Sequence, residues 1–184
     1  TDGAAVVLSA PKGVTNALSL LCEQAAAGED FQPLFNKLND TVTGIANNLN
    51  EELDGFAHAS VVEFINSHLS VLKQHLEGIK LLGVAPDNVA AGILSIGEYI
   101  SVTLFSAMLS AKGIANRVID PVKYVLAEGD YLDSIADVSL SKARFSDVPT
   151  DGSEFLVMPG FVAANEAGEK VTLGRNGSDY SAAI

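Results

Sequence analysis

The residues best suited to chemistry in this chain of 184 residues stand close to its last position, in "VTLGRNGSDYSAAI". Thr172-Leu173 reads as the end of a strand, Gly174-Arg175-Asn176-Gly177 as a tight loop, and Ser178-Asp179 as the cap of a helix. The first turn of a helix carries backbone N–H groups without intrahelical partners and the positive end of the dipole, and glycine lets a ligand approach the backbone closely. The pattern therefore suits an anion. Arg175 adds a planar fork that holds a carboxylate through two parallel hydrogen bonds. By itself the stretch reads equally well as a capped surface turn.

Glu98, in "SIGEYIS", is the second candidate, because Ile96, Ile100, Val102 and Leu104 leave it little polar company. A carboxylate in apolar surroundings needs a compensating charge, and a ligand ammonium is one. Together, Arg175 and Glu98 suit a zwitterionic amino acid, whereas a nucleoside monophosphate would call for a second cation. His58, His68 and His75 raise the question of a metal, the last two lying seven residues apart on one helical face. They flank an apolar stripe without a cysteine or close carboxylate to complete a ligand set, so solvated flank positions are expected and no metal site.

The chemistry must be placed by a well-packed fold, since 48% of the residues are hydrophobic and 18% charged, which suits one domain. Eleven Lys and Arg against 23 Asp and Glu give a formal charge of -12, which repels nucleic acid and anionic lipid. Neither is expected as a partner. An anionic substrate then needs locally placed donors or an accompanying metal ion. The single cysteine, Cys22, excludes an internal disulfide and fits a reducing, cytoplasmic setting; its helical spacing with Leu18, Leu21 and Ala25 makes it a core residue. No apolar run approaches the ~20 residues of a membrane span, "SVTLFSAML" being bounded by Glu98 and Lys112.

Along the chain, "AAVVLSA" reads as a buried parallel strand, followed by a turn and a helix that Thr15 or Asn16 caps and Gly28 closes. Residues 29–82 read as almost wholly helical, with a break near Asp54-Gly55. Val61, Ile65, Leu69, Leu72, Leu76 and Ile79 form one apolar stripe at four- and three-residue steps. A further helix starts at Pro86 and runs past Gly97; "NRVIDP" reads as a short buried strand, "EFLVMPGF" as another, and "KVTLG" as the strand before the closing loop. Strands separated by helices predict an α/β layered fold with a largely parallel sheet, in which ligands bind beyond the carboxyl ends of strands. Three such edges carry candidate chemistry: residues 9–16, Gly160-Phe161, and residues 174–179.

"VVLSAPKGVTN", "IGEYIS", "VIDPV" followed by "AEGDYLDS", and "GFVAANEAGEKVTLGRNGSDYSAA" resemble, in this order, the corresponding stretches of aspartate kinases in the amino-acid kinase family. The likeness is nearest to the bifunctional aspartokinase–homoserine dehydrogenase type, particularly its threonine-sensitive form. It implies a three-layer αβα fold with a largely parallel sheet. It also implies that residues 1–184 are the amino-acid-binding portion of a catalytic domain. A first strand with a Lys-Phe-Gly-Gly-Thr-Ser loop would lie ahead of them, and the nucleotide-holding segment and regulatory domains beyond.

Carried over from the family, Thr15, Glu98, Phe161, Arg175 and Ser178 form the aspartate pocket, and Asp179 organises a catalytic lysine. The implied reaction is in-line transfer from MgATP to the β-carboxylate of L-aspartate, the first step toward threonine, methionine and lysine. The whole protein would be a homo-oligomer, with NADP serving a fused dehydrogenase outside this chain. Without the lysine and the nucleotide segment, the chain alone is expected to be inactive. Two other readings remain: a non-catalytic structural or self-association piece built on the apolar stripe, and another amino-acid kinase.

Overall fold

The computed structural model describes residues 5–148, 152–174 and 176–184. Its central sheet has three parallel strands in the order β1 (Ala5–Leu8), β5 (Phe155–Pro159), β2 (Asn116–Val118), with Leu8 opposite Pro159 and Arg117 opposite Leu156. Between β1 and β2 come the helices α1 (Val14–Ala26), α2 (Gln32–Glu52), α3 (His58–Leu82), α4 (Asp87–Leu94) and α5 (Ile96–Ala111). Beyond β2 follow a 3-10 turn (Pro121–Lys123), the hairpin β3 (Ala127–Asp130) and β4 (Asp133–Ala136), and α6 (Val138–Phe145). A second hairpin, β6 (Val162–Ala164) with β7 (Lys170–Thr172), leads to α7 (Gly177–Ala183).

Alternation along β5 sets the layers, because successive side chains of a strand point to opposite faces. Val157 packs with Val102 and Leu109 of α5, while Leu156 and Met158 join Ile119, Phe145, Val148, Val171 and Leu173 on the other side. The sheet thus lies between the helical block and the layer of α6, α7 and hairpins, giving the α/β fold its three layers. The helical block has its own core. Val61, Ile65, Leu69, Leu72, Leu76 and Ile79 of α3 are all buried, together with Leu18 and Leu21 of α1, Val42 of α2 and Ile100 of α5. Cys22 is buried there, and burial, reinforced by Glu23, pushes its thiol up to about 11.

Several local expectations are corrected. Helix α1 begins at Val14 after Gly13, so neither Thr15 nor Asn16 is its cap, and Thr15 sits in the first turn. Likewise α7 begins at Gly177 with Asn176 as its cap, which places Ser178 and Asp179 inside its first turn. The strands β1 and β2 are not buried as their composition suggests: both border the sheet among the described residues, and Val118 is 44% exposed. The helix expected from Pro86 is two helices. Ser95, whose hydroxyl donates to the Gly92 carbonyl at 2.8 Å, separates them. The two hairpins and α6 are short, and their sequences carry too few residues for a clear period.

Across that junction, Asp87–Ala111 has 25 residues and, over its most apolar window, a mean hydropathy of 1.5, long and apolar enough by composition to cross a membrane, contrary to the run-length reading. Just over half of its most apolar window, 56%, is buried inside the fold, and Ile93, Ile96, Ile100, Val102 and Leu104 are core residues. Its apolarity is that of a helix covered on several sides.

Candidate functional site

The parallel pairing of β1 with β5 puts their carboxyl ends side by side, and the chain turns away from the sheet there at Ser9-Ala10 and Gly160-Phe161. The Gly160 N–H donates to the Leu8 carbonyl at 2.9 Å, tying the two turns together. The loop after β7 joins them, since the Leu173 N–H donates to the Phe161 carbonyl at 2.8 Å. A cleft of about 440 Å³ opens where these three edges meet, lined by Ser9, Thr15, Glu98, Phe161, Ser178 and Asp179 together with backbone of the adjoining loops. Five of the six residues singled out from the sequence are therefore in one place. The sixth, Arg175, lies outside the described residues.

Glu98 enters the cleft from the first turn of α5. The preceding glycine makes this approach possible: a Cβ at Gly97 would stand 2.6 Å from the Ala10 Cβ, so the helix start lies directly on the β1–α1 turn. The Ala10 N–H donates to Glu98 Oε1 at 3.3 Å, while Oε2 is buried with no hydrogen-bond partner among the described residues. Only 3% of the residue is exposed. Burial raises its carboxyl from 4.5 to about 7, against the smaller lowering by its own backbone N–H and that of Ala10. A carboxylate left half-satisfied at a cleft wall favours a cationic or hydrogen-bond-donating ligand.

Phe161 has φ 67, an uncommon backbone conformation for a bulky side chain, worth about 1–3 kcal/mol of strain. Its N–H donates to Ser181 Oγ at 3.0 Å, and Ser181 Oγ in turn donates to the Gly177 carbonyl at 2.8 Å, so α7 holds the turn in place. Gly160 is required by the same closeness, since a Cβ there would lie 2.7 Å from the Ser178 Cβ. Ser178 is half-buried and Asp179 exposed at the cleft rim.

Ala10, Ser181 and Asn176 support the cleft in ways that residue type alone did not single out. Ala10 acts through its backbone, and Ser181 through a contact twenty residues distant, for which a sequence carries no local sign. Asn176, with φ 61, was legible as an Asn-Gly turn signal. The histidines lie away from the cleft: His58 Nε2 is 2.8 Å from Asn47 Oδ1, and His68 stacks on Phe64 with ring centroids 4.1 Å apart. Among the described residues, no group of three His, Cys, Asp or Glu is placed to hold a metal ion.

The model of the amino acid kinase family matches residues 3–184. The chain is 37% identical over 185 aligned positions to the bifunctional aspartokinase/homoserine dehydrogenase of Buchnera aphidicola, covering 100% of this chain and 23% of that protein. To the protein of that name from Haemophilus influenzae it is 38% identical over 182 positions, covering 99% and 22%. Among solved structures, Escherichia coli aspartokinase III in complex with aspartate and ADP (R-state) superposes with a TM-score of 0.82 at 25% identity, covering 98% of this chain and 39% of that one. The complex of aspartokinase III with lysine and aspartate (T-state) gives 0.85 at 23% identity, covering 97% and 39%, and attests the fold. The chain thus spans between about a fifth and two fifths of the length of these relatives.

Proposed function

The chain belongs to the amino acid kinase family, and from that premise we propose that it forms the aspartate-binding portion of an aspartokinase, which transfers the γ-phosphoryl group of ATP to the β-carboxylate of L-aspartate. The observation that carries this reading is Glu98: a carboxylate 3% exposed, at the wall of the cleft, with one oxygen lacking any partner among the described residues. It meets the needs of an α-ammonium group. Thr15 and Ser178 supply hydroxyl donors, Phe161 a wall, and Arg175 the fork for the α-carboxylate. Similarity to the bifunctional enzymes supports aspartate over other amino acids, and the complex of aspartokinase III with aspartate and ADP supports the pairing with a nucleotide.

Phosphoryl transfer between two anions depends on holding them in line and offsetting their charge. Residues of this chain provide the first part. With the ammonium held by Glu98 and the α-carboxylate by Arg175, one end of aspartate is fixed and its β-carboxylate is left free to react. Asp179, by its resemblance to the family aspartate, orients a lysine. Magnesium bound with ATP would supply charge shielding for the phosphates. We further infer for the whole protein a homo-oligomeric, cytoplasmic enzyme with a fused, NADP-using homoserine dehydrogenase, acting at the head of the route to threonine, methionine and lysine; the bifunctional relatives support the fusion.

Comparing L-aspartate with succinate tests the role of Glu98, because succinate keeps both carboxylates and lacks only the ammonium. In competition calorimetry, aspartate should bind at least about tenfold more tightly, ~1.4 kcal/mol. That preference should disappear in Glu98→Gln. Equal binding of the two acids by the unaltered protein would remove Glu98 from ligand recognition.

A further inference from the structure

On the far side of the turn that carries Glu98 lies a second cavity, of about 290 Å³, between α3, the α4–α5 junction and β7. His68, Val71 and His75 follow one another at three- and four-residue steps along α3 and form one wall; Ile96 and Tyr99 of α5 and Lys170 of β7 form the other. Two of the chain's three histidines and one of its few lysines thus meet in a protein of formal charge -12.

Lys170 is the informative residue. Its ammonium lies 4.4 Å from the centroid of the Tyr99 ring, a cation–π arrangement, and burial lowers its basicity, partly offset by the carboxylate of Asp120. That carboxylate already accepts from the Tyr99 hydroxyl at 2.9 Å and from the Val122 N–H at 3.2 Å. Among the described residues, the Lys170 ammonium makes no ion pair and no hydrogen bond. Its three donors border a cavity whose apolar wall is Val71, Ile96 and aromatic carbon, with Ser67, Gly92, Ser95 and His75 completing the lining. Beside it, His68 stacks with Tyr99 at 6.5 Å between centroids, with Nδ1 3.0 Å from the Phe64 carbonyl. A half-buried cation with unused donors gains from an anion, and apolar walls favour one attached to a hydrocarbon body.

We propose that this cavity is a binding site, separate from the aspartate cleft, for a small organic carboxylate, with its head group at Lys170 beside His68 and its apolar body along Val71 and Ile96 toward His75. The site stands independently of the kinase reading, since none of its residues lines the first cleft.

The histidines themselves report on it. In a titration of the chain with 4-fluorobenzoate at moderate salt, followed by the imidazole proton signals, His68 and His75 should shift saturably with a Kd of about 1 mM or tighter. His58, near the opposite end of α3, should stay in place. Lys170→Gln should weaken binding by about tenfold or more. If that half-buried substitution disturbs the fold, Val71→Asp provides the second test. Val71 is 48% exposed, so the change spares the core while setting a negative charge in the cavity wall, and it should abolish the shifts. Absence of a saturable His68 shift, an unchanged titration in Val71→Asp, or a response to inorganic phosphate with none to 4-fluorobenzoate would overturn the assignment.

Discussion

Replacing Glu98 by Gln is expected to make the chain more stable, relative to the unaltered protein, as pH rises, while weakening its hold on aspartate. The carboxyl group is 3% exposed and titrates at about 7, against an ordinary 4.5. The folded state therefore binds this proton more tightly than the unfolded chain does. The stability it contributes is fully present below about 4.5 and is lost as pH rises through the folded value near 7. At ~1.4 kcal/mol per decade, the whole loss is about 3 kcal/mol, of which roughly 2–3 falls between pH 5 and pH 8. Glutamine cannot ionise, yet keeps the volume and an oxygen to accept from the Ala10 N–H. Whatever constant offset the amide group brings, urea unfolding should show the variant gaining on the unaltered chain by about 2–3 kcal/mol between those two pH values. Aspartate affinity, measured at pH 8 in the same samples, should fall by about 1.5–3 kcal/mol, the scale of a charged hydrogen bond. Stability curves that run parallel from pH 5 to pH 8 would mean that the carboxylate is solvated in the folded protein, and the argument for an unmet charge in the cleft would fail with it.

In the whole protein, Arg175→Lys should raise the half-saturating aspartate concentration by about tenfold or more, ~1.4 kcal/mol, because a point donor on a flexible stem replaces a two-pronged one; superimposable aspartate titrations at saturating MgATP would make Arg175 an ordinary turn residue. Gly160→Ala puts a methyl group 2.7 Å from the Ser178 Cβ and should destabilise the chain by about 1–3 kcal/mol while weakening aspartate binding, a result that denaturation midpoints and calorimetry would report together. Cys22, buried and with its thiol pushed up to about 11, should react with a disulfide reagent many times more slowly than a free thiol at pH 8, and at the ordinary rate once the chain is unfolded in urea.

The helical half of this protein was legible because its signals are local. The α3 stripe from Val61 to Ile79 repeats over several turns, and all six of its members are buried, while the break at Asp54-Gly55 falls between α2 and α3. The α/β class followed from strands separated by helices, and the parallel sheet β1-β5-β2 agrees with it. Residue types determined which groups can do chemistry: a carboxylate among aliphatic neighbours at Glu98, a fork at Arg175, hydroxyls at Thr15 and Ser178. What composition could not decide was which apolar strands would be covered, so β1 and β2 read as buried although each borders the sheet among the described residues. Nor could it divide α4 from α5 at Ser95 and so put Glu98 in a first turn instead of mid-helix. Those outcomes depend on contacts between residues far apart in sequence: the Ala10 N–H with Glu98 across 88 positions, Phe161 with Ser181 across 20. A side chain's chemistry is fixed by its own atoms, and a helix by its neighbours within a few residues. The environment that leaves one oxygen of Glu98 without a partner among the described residues and moves its titration to about 7 exists only once the strand ends, the glycine-backed start of α5 and the α7 turn have closed around it.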